Sequence, residues 1–275
     1  MLIAGPALRA MAAGCDELVV LAGPQGAEAA RLLPGVDDVL VWECPWIAAH
    51  PPAVDSTAVT ELVAVLAARQ LDGACVFTSF HQSVLPTALL LRLAGVAWIA
   101  GISEDYPGSL LDLRHRVAED IPEPERALSL ARAAGFTLPP GDDGRLAVRR
   151  PLPHVDALVP DPPYVVLHPG TAVPARAWPV QRFAETAQLL NAAGWPVVVT
   201  GSPAERRLTA QVSSAAAVCD LGGRTQLPEL AAILAGAAAV VVANTGPAHL
   251  AAAVGTPVVS LFAPTVPAVK WAPYG

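Results

Sequence analysis

Residues Ala239–Val259 read AVVVANTGPAHLAAAVGTPVV. Ala239–Ala243 is an unbroken apolar run rich in valine, as in a parallel strand covered on both faces. Asn244, Thr245 and Gly246 make a tight turn, and Pro247 stands where a helix start tolerates proline. The helix runs to Gly255, and Val258–Phe262 is the next strand. His249 falls in the first helical turn, whose amides lack internal partners and carry the positive end of the helix dipole. A small turn, a hydroxyl and a histidine at such an end suit a phosphate group. The same residues also fit an ordinary strand-to-helix turn with a capping threonine and a surface histidine.

Outward from this stretch the chain keeps alternating strand and helix. In the second half, Tyr164–Leu167, Pro196–Thr200 and Val218–Leu221 read as strands. Val180–Ala193, Ala204–Ser214 and Leu227–Ala235 read as helices. In the first half the strands are Glu17–Leu21, Asp38–Trp42, Ala74–Thr78 and Ala97–Ala100. The helices there are Leu2–Ala13, Gln25–Leu33, Ser56–Arg69 with a serine cap, Ser83–Leu93 and Glu123–Ala134. Residues 104–117 read as irregular. Such a βα series implies parallel sheets with right-handed crossovers. Pro139–Pro163 is rich in Pro, Gly and Asp, with one short strand candidate at Leu146–Val148, and is the expected linker. The two domains are therefore expected at residues 1–155 and 156–275. Doubly wound halves of this kind put a ligand cleft at the carboxyl ends of both sheets.

Composition narrows the function classes. The chain has 275 residues, 53% hydrophobic and 15% charged, with net charge −7. That balance argues against a nucleic-acid groove, though not against a local basic site for an anionic ligand. The 28 prolines and 21 glycines are dispersed and read as turns. Cys15, Cys44, Cys75 and Cys219 show no metal or disulfide spacing and are expected to be small core residues of a reducing compartment. No apolar run approaches the about 20 residues of a membrane span, and the start lacks the pattern of a secretory leader, so a cytoplasmic location is expected.

Two further segments carry chemistry. HPGTAVPARAWP, His168–Pro179, follows a strand and offers a conformationally free Gly170, the Thr171 hydroxyl and the Arg176 fork, which suits phosphate oxygens. GSPAERR, Gly201–Arg207, follows the next strand and places Glu205 at a helix start. The dipole alone favours a carboxylate there, and the same carboxylate can accept hydrogen bonds from ribose hydroxyls.

Taken together, HPGxxxPxRxWPxxRFA, TGSPAE, DLGGRTQLPELAAILAGA and ANTGPAHLAAAVGTPVVSLFAPT closely resemble glycosyltransferase family nine, the ADP-heptose–lipopolysaccharide heptosyltransferases. The likeness is strongest over Val165–Gly275. It extends more weakly to LIAGPALRAM, Leu2–Met11, and to FTSFHQSVLPTALLLRLAGVAWIAG, Phe77–Gly101. The resemblance implies an α/β fold of GT-B type, two doubly wound Rossmann-like domains facing a cleft, with the donor in the second and the acceptor in the first. It implies inversion by direct displacement without a metal, and the chain indeed contains no Asp-x-Asp pair. No cofactor is implied, only a nucleotide-diphosphate sugar as donor substrate, with an ADP-sugar favoured.

Carried over by motif, Thr171 and Arg176 would contact the phosphates, Arg176 standing where the family usually has lysine. Glu205 would bind the donor ribose, and the turn around Thr225–Leu227 would line the base. Asn244 would meet sugar hydroxyls, while Thr245, Gly246 and His249 would grip the diphosphate leaving group, His249 as a neutral or an imidazolium donor. Three departures stand out. Asn244 replaces an aspartate. The family's Thr-Asp-Pro reads Thr265-Val266-Pro267 here. The strand and Gly-Asp turn that carry the presumed general base precede the segment matched by Leu2–Arg9, so the chain is expected to be truncated at both ends and its catalytic base is unassigned.

The expected function is transfer of a heptose or similar sugar to a saccharide or glycolipid acceptor of the cell envelope, with no nucleic-acid partner and with peripheral association at the inner membrane face. The alternative is a nucleotide-sugar-binding remnant without catalysis, and a sugar-nucleotide epimerase ranks third. Of the remaining polar residues, His81 and the pair Glu104 and Asp105 lie near the expected cleft. His50, His115 and His154 read as solvated loop residues.

Overall fold

The computed structural model describes residues 1–48, 50–79, 81–117, 120–171, 173–264 and 266–275. The chain forms two compact units, Ile3–Gly144 and Arg145–Gly275.

In the first unit the order is α1 (Gly5–Ala12), β1 (Val19–Ala22), α2 (Pro24–Arg31), β2 (Asp38–Val41), α3 (Ser56–Ala68), β3 (Gly73–Val76), α4 (Leu85–Leu93), β4 (Trp98–Ile102), β5 (Leu113–His115) and α5 (Glu123–Ala133). β1 pairs in parallel with β2, and β3, β4 and β5 form a second parallel sheet in that order. One core serves both sheets. Leu62 and Leu66 of α3, Leu90 and Leu91 of α4, Val76 and Ile99 are buried together, and Leu21 of β1 and Leu40 of β2 pack on the same cluster. α1 meets α5 through Ala7, Ala10, Leu128 and Ala131, the three alanines allowing the helices to approach closely. Arg9 of α1 grips Asp142 with two bonds, from Nε at 2.5 Å and Nη2 at 2.8 Å.

Several expectations are corrected here. The cap of α3 is Asp55, whose carboxylate accepts from the Thr57 N–H at 2.9 Å, and Ser56 is the first helical residue. β5 lies inside the stretch expected to be irregular. Its three residues, Leu-Arg-His, are too short and too polar to show a strand pattern, and pairing with β4 decides the matter. His115 is not a solvated loop residue: it lies in β5, half-buried, with Nε2 at 3.0 Å from Ser129 Oγ. The cysteines are not core residues, since Cys15 is exposed and the other three are half-buried.

In the second unit the order is β6 (Tyr164–His168), α6 (Val180–Ala192), β7 (Val197–Gly201), α7 (Arg206–Ala215), β8 (Cys219–Gly222), α8 (Leu227–Ala235), β9 (Ala237–Ala243), α9 (Gly246–Val254), β10 (Val258–Leu261) and α10 (Ala268–Trp271). The strands lie side by side as β10-β9-β6-β7-β8, each pair parallel. Every residue of β6 and β7 is buried, which explains their continuous valine runs. Phe183 and Ala187 of α6 and Val212 of α7 pack with Val165, Leu167, Val197 and Val199. Ile233 and Leu234 of α8 and Leu250 of α9 are also fully buried, and the Tyr164 hydroxyl donates to the Ile233 carbonyl at 2.7 Å. Gly255 closes α9 in the left-handed conformation (φ 86°), and Thr256 Oγ1 then donates to the Leu234 carbonyl at 2.7 Å, satisfying an orphan acceptor of α8.

From Arg145 onward the proline-rich stretch groups with this unit. Leu146, Val148 and Val155 are buried and Cys219 Sγ donates to the Leu158 carbonyl at 3.2 Å, but Leu146–Val148 forms no strand. The last segment contains α10. No helix among the described residues is long and apolar enough to cross a membrane.

Thr209 of α7, 1% exposed, sits directly over the end of β8. A Cβ on Gly222 would overlap Thr209 Oγ1 and approach its Cβ to 2.9 Å. Gly222→Ala is expected to lower stability by about 1–3 kcal/mol through overpacking. Combining it with Thr209→Ala should restore part of that loss, which urea denaturation of the single and double variants will measure.

Candidate functional site

The order β10-β9-β6-β7-β8 reverses direction at β6: the chain winds from β6 through β7 to β8 on one side, then returns to β9 on the other. The crevice beyond the carboxyl ends of β6 and β9 is therefore the switch point where doubly wound sheets take their ligands. His168 is in register with Val242 of β9, and Leu167 with Val199 of β7. With neighbouring strands about 4.8 Å apart, the loops after β9, β6 and β7 leave the sheet side by side. These are the three motif segments singled out in the sequence.

After β6 the chain runs through Gly170 and Thr171 into a short 3₁₀ turn, Pro174–Arg176. Thr171 Oγ1 accepts weakly from the Val173 N–H at 3.4 Å. The loop is anchored at its far end by Trp178, which stacks edge-on against Phe183 at 5.0 Å. Arg176 is half-buried, and its guanidinium has no hydrogen-bond or ion-pair partner among the described residues. A guanidinium on a short turn, with no ion-pair partner among the described residues, can serve an anionic ligand.

After β7, Ser202, Pro203 and Glu205 form a capping box. Glu205 Oε2 accepts from the Ser202 N–H at 2.7 Å, and the Ser202 side chain receives the Glu205 N–H. The carboxylate lies against Gly170, where a Cβ would overlap it. The loops after β6 and β7 are thus in direct contact, and glycine is the residue that allows it. Behind them His168 is buried, with Nδ1 at 2.9 Å from Thr200 Oγ1 and Nε2 at 3.8 Å from Glu205 Oε2. Burial lowers the His168 pKa from its usual value, and the Glu205 charge opposes that shift.

After β9, Asn244 is 3% exposed, and its Nδ2 donates to the Trp271 carbonyl at 2.8 Å. Its side chain thus ties α10 to the turn. Thr245 occupies the N-cap of α9 without a side-chain capping bond, so its hydroxyl is not spent there. Gly246 is exposed and is the first helical residue, one position earlier than expected for Pro247. His249 Nδ1 is buried and has no hydrogen-bond partner among the described residues. Burial lowers the His249 pKa to about 4, so the ring is neutral near pH 7 and the imidazolium form is not the resting state.

On the β8 side, Arg206 donates to the Gly223 carbonyl at 3.0 Å, and Gln226 and Glu229 cap α8 as a second capping box. Thr265 lies outside the described residues. His81 is in an exposed turn before α4, and Glu104 and Asp105 are exposed after β4. A separate cavity of about 260 Å³, lined by Arg150, His154, Tyr164 and Gly236, lies at the amino ends of β6 and β9, the opposite end of the sheet. His168 and Thr200 were not singled out from the sequence. The available signal was a polar residue closing each of two adjacent, otherwise apolar strands.

This fold and this placement of loops define an α/β protein of the GT-B type. Residues 76–275 match the model of glycosyltransferase family 9 (heptosyltransferase), and the chain belongs to that family. It is 35% identical over 199 residues to lipopolysaccharide heptosyltransferase 1 of Pseudomonas aeruginosa, an alignment covering 68% of this chain but only 54% of that relative's length. The structure of the E. coli ADP-heptose lipopolysaccharide heptosyltransferase II is similar with a TM-score of 0.77 at 22% identity, covering 99% of this chain and 84% of that one. E. coli heptosyltransferase WaaC with ADP-2-deoxy-2-fluoro heptose is similar with a TM-score of 0.73 at 23% identity, covering 97% and 86%.

Two expectations follow from the site. Asn244→Asp replaces the donor facing the Trp271 carbonyl with an acceptor and should destabilise the second unit by about 1–3 kcal/mol, seen as a lowered urea midpoint. For His249, the unfolded imidazole titrates near 6.5 and the folded one at about 4. The unfolded state therefore binds the extra proton between these values, and stability falls as pH drops through that window. His249→Gln should remove part of this fall, and His168, shifted in the same direction, should account for a further part. Urea midpoints measured from pH 7 to pH 4 will show it.

Proposed function

We propose that the second unit binds the diphosphate and ribose of a nucleotide-diphosphate sugar, and that the protein transfers the sugar, a heptose or a similar one, to a saccharide or glycolipid acceptor of the cell envelope. An ADP-sugar is favoured. The observation that supports this reading is that the loops carrying Arg176, Glu205 and Thr245 leave the adjacent strands β6, β7 and β9 at the same end of the sheet, with the Glu205 carboxylate against Gly170. Family membership supports the reaction class, and the heptosyltransferases that resemble this fold are described with ADP-heptose or its fluoro analogue.

In this reading the reaction is a displacement at the anomeric carbon. The acceptor hydroxyl attacks the anomeric carbon and releases its proton to solvent, the bond from that carbon to the diphosphate breaks, and the configuration inverts. The negative charge that develops on the leaving diphosphate is met by Arg176 and Thr171 from one loop and by the first amides of α9, Thr245 and Gly246 from the other. Preorganised donors aimed at developing charge lower the barrier without reorganising at the moment of reaction. His249, neutral and in the first turn of α9, adds an N–H donor. Charge balance by these protein donors makes the transfer metal-independent, and no cofactor enters. Glu205 accepts from the ribose hydroxyls. Peripheral association with the inner membrane face would bring a lipid-linked acceptor within reach.

Isothermal titration with ADP should show binding that Arg176→Ala weakens by at least about tenfold, as expected for a lost charge-assisted hydrogen bond. Unchanged affinity removes Arg176 from the site. Incubation with ADP-heptose and a heptose-acceptor glycolipid tests transfer. Binding without product would reduce the protein to a nucleotide-sugar receptor.

A further inference from the structure

We infer that His168 and Thr200 are positioning residues that hold the Glu205 carboxylate toward the ribose, through a fixed tautomer of His168. The inference rests on the ribose reading of Glu205 above.

The argument starts from the two ring nitrogens. Nδ1 lies at 2.9 Å from Thr200 Oγ1 and Nε2 at 3.8 Å from Glu205 Oε2. Both His168 and Thr200 are buried, at 6% and 0% exposure. A neutral imidazole carries one proton, and where it sits depends on the partner of the other nitrogen. If Nδ1 held the proton, the Nε2 lone pair would face a carboxylate, an unfavourable arrangement inside the protein. If the Thr200 hydroxyl donates to Nδ1, the proton is left on Nε2 and points at Glu205. Only the second arrangement places a donor on every acceptor, so the chain of bonds runs Thr200 O–H to His168 Nδ1, then His168 Nε2–H toward Glu205 Oε2.

Glu205 Oε2 is then supported from two sides, by the Ser202 N–H at 2.7 Å and by the imidazole N–H. At 3.8 Å the second contact is electrostatic, not a hydrogen bond. Oε1 has no hydrogen-bond partner among the described residues and lies against Gly170. A carboxylate fixed by one oxygen presents the other to a vicinal diol at no further ordering cost. Burial keeps His168 neutral, which the tautomer argument requires.

Two measurements test this. Nitrogen-15 NMR of the histidine rings in the wild-type chain should find the His168 proton on Nε2. A proton on Nδ1 overturns the inference, and this readout needs no variant and no ligand. Titration with ADP and with 2′,3′-dideoxy-ADP then gives the discrimination conferred by the ribose hydroxyls, expected at about tenfold. Thr200→Val should erase most of it while leaving dideoxy-ADP affinity unchanged, and Thr200→Ser should restore it. Equal loss for both nucleotides marks Thr200 as merely structural and overturns the inference. Glu205→Gln separates the two claims. If it abolishes the discrimination while Thr200→Val does not, the ribose reading stands and the positioning role falls. If Glu205→Gln leaves the discrimination intact, the ribose reading itself fails and takes the positioning role with it.

Discussion

Parallel pairing of β6 with β9 on one side and β7 on the other is the constraint from which the site follows. Strands that run together and end together must release their loops at one edge, and a reversal of winding at β6 leaves a crevice there that no crossover helix fills. The residues that matter are then determined by where each strand stops. β6 stops at His168, β7 at Gly201 and β9 at Ala243, so a polar or small residue falls at each exit. Burial of every residue in β6 and β7 packs the strands tightly on both faces.

Close approach does the rest. Gly170 has its role because the Glu205 carboxylate occupies the space of its missing side chain. The contact joins two loops that otherwise share only their strands. The capping box at Ser202 and Glu205 uses Oε2 of the carboxylate, so this structural role is compatible with the ribose role proposed for Glu205. Oε2 closes the helix start, and Oε1 has no hydrogen-bond partner among the described residues, so the helix role and the proposed ribose role fall on two atoms of the same side chain.

Much of this was legible in the sequence because parallel strands buried on both faces leave a plain record, runs of valine punctuated by glycine and proline. Ala239–Val259 showed strand, turn and helix in register with what the structure holds, and the motif loops fell where strand exits put them. What was not legible depends on partners remote in the chain. β5 is a strand only because β4 lies beside it, and α10 is held by Asn244, 27 residues away. The cysteines read as core by type, but none of the four is buried. Asp55 took the cap expected of Ser56, a choice between two good capping residues that local pattern leaves open.

Asn244 illustrates how one substitution within a family motif can be read structurally. Its amide donates to the Trp271 carbonyl from a position that is 3% exposed. An aspartate there would set a carboxylate against that carbonyl and be forced to turn away, toward the crevice. An asparagine can face inward and hold α10, leaving the crevice with one acidic group fewer on the β9 side. The diphosphate of an activated sugar is strongly anionic, so removing a carboxylate beside the α9 terminus raises the local potential in the sense that favours it. Asparagine at this turn therefore couples the anchoring of the final segment to the electrostatics of the proposed donor site, through the choice of which atom a single side chain presents to a backbone carbonyl.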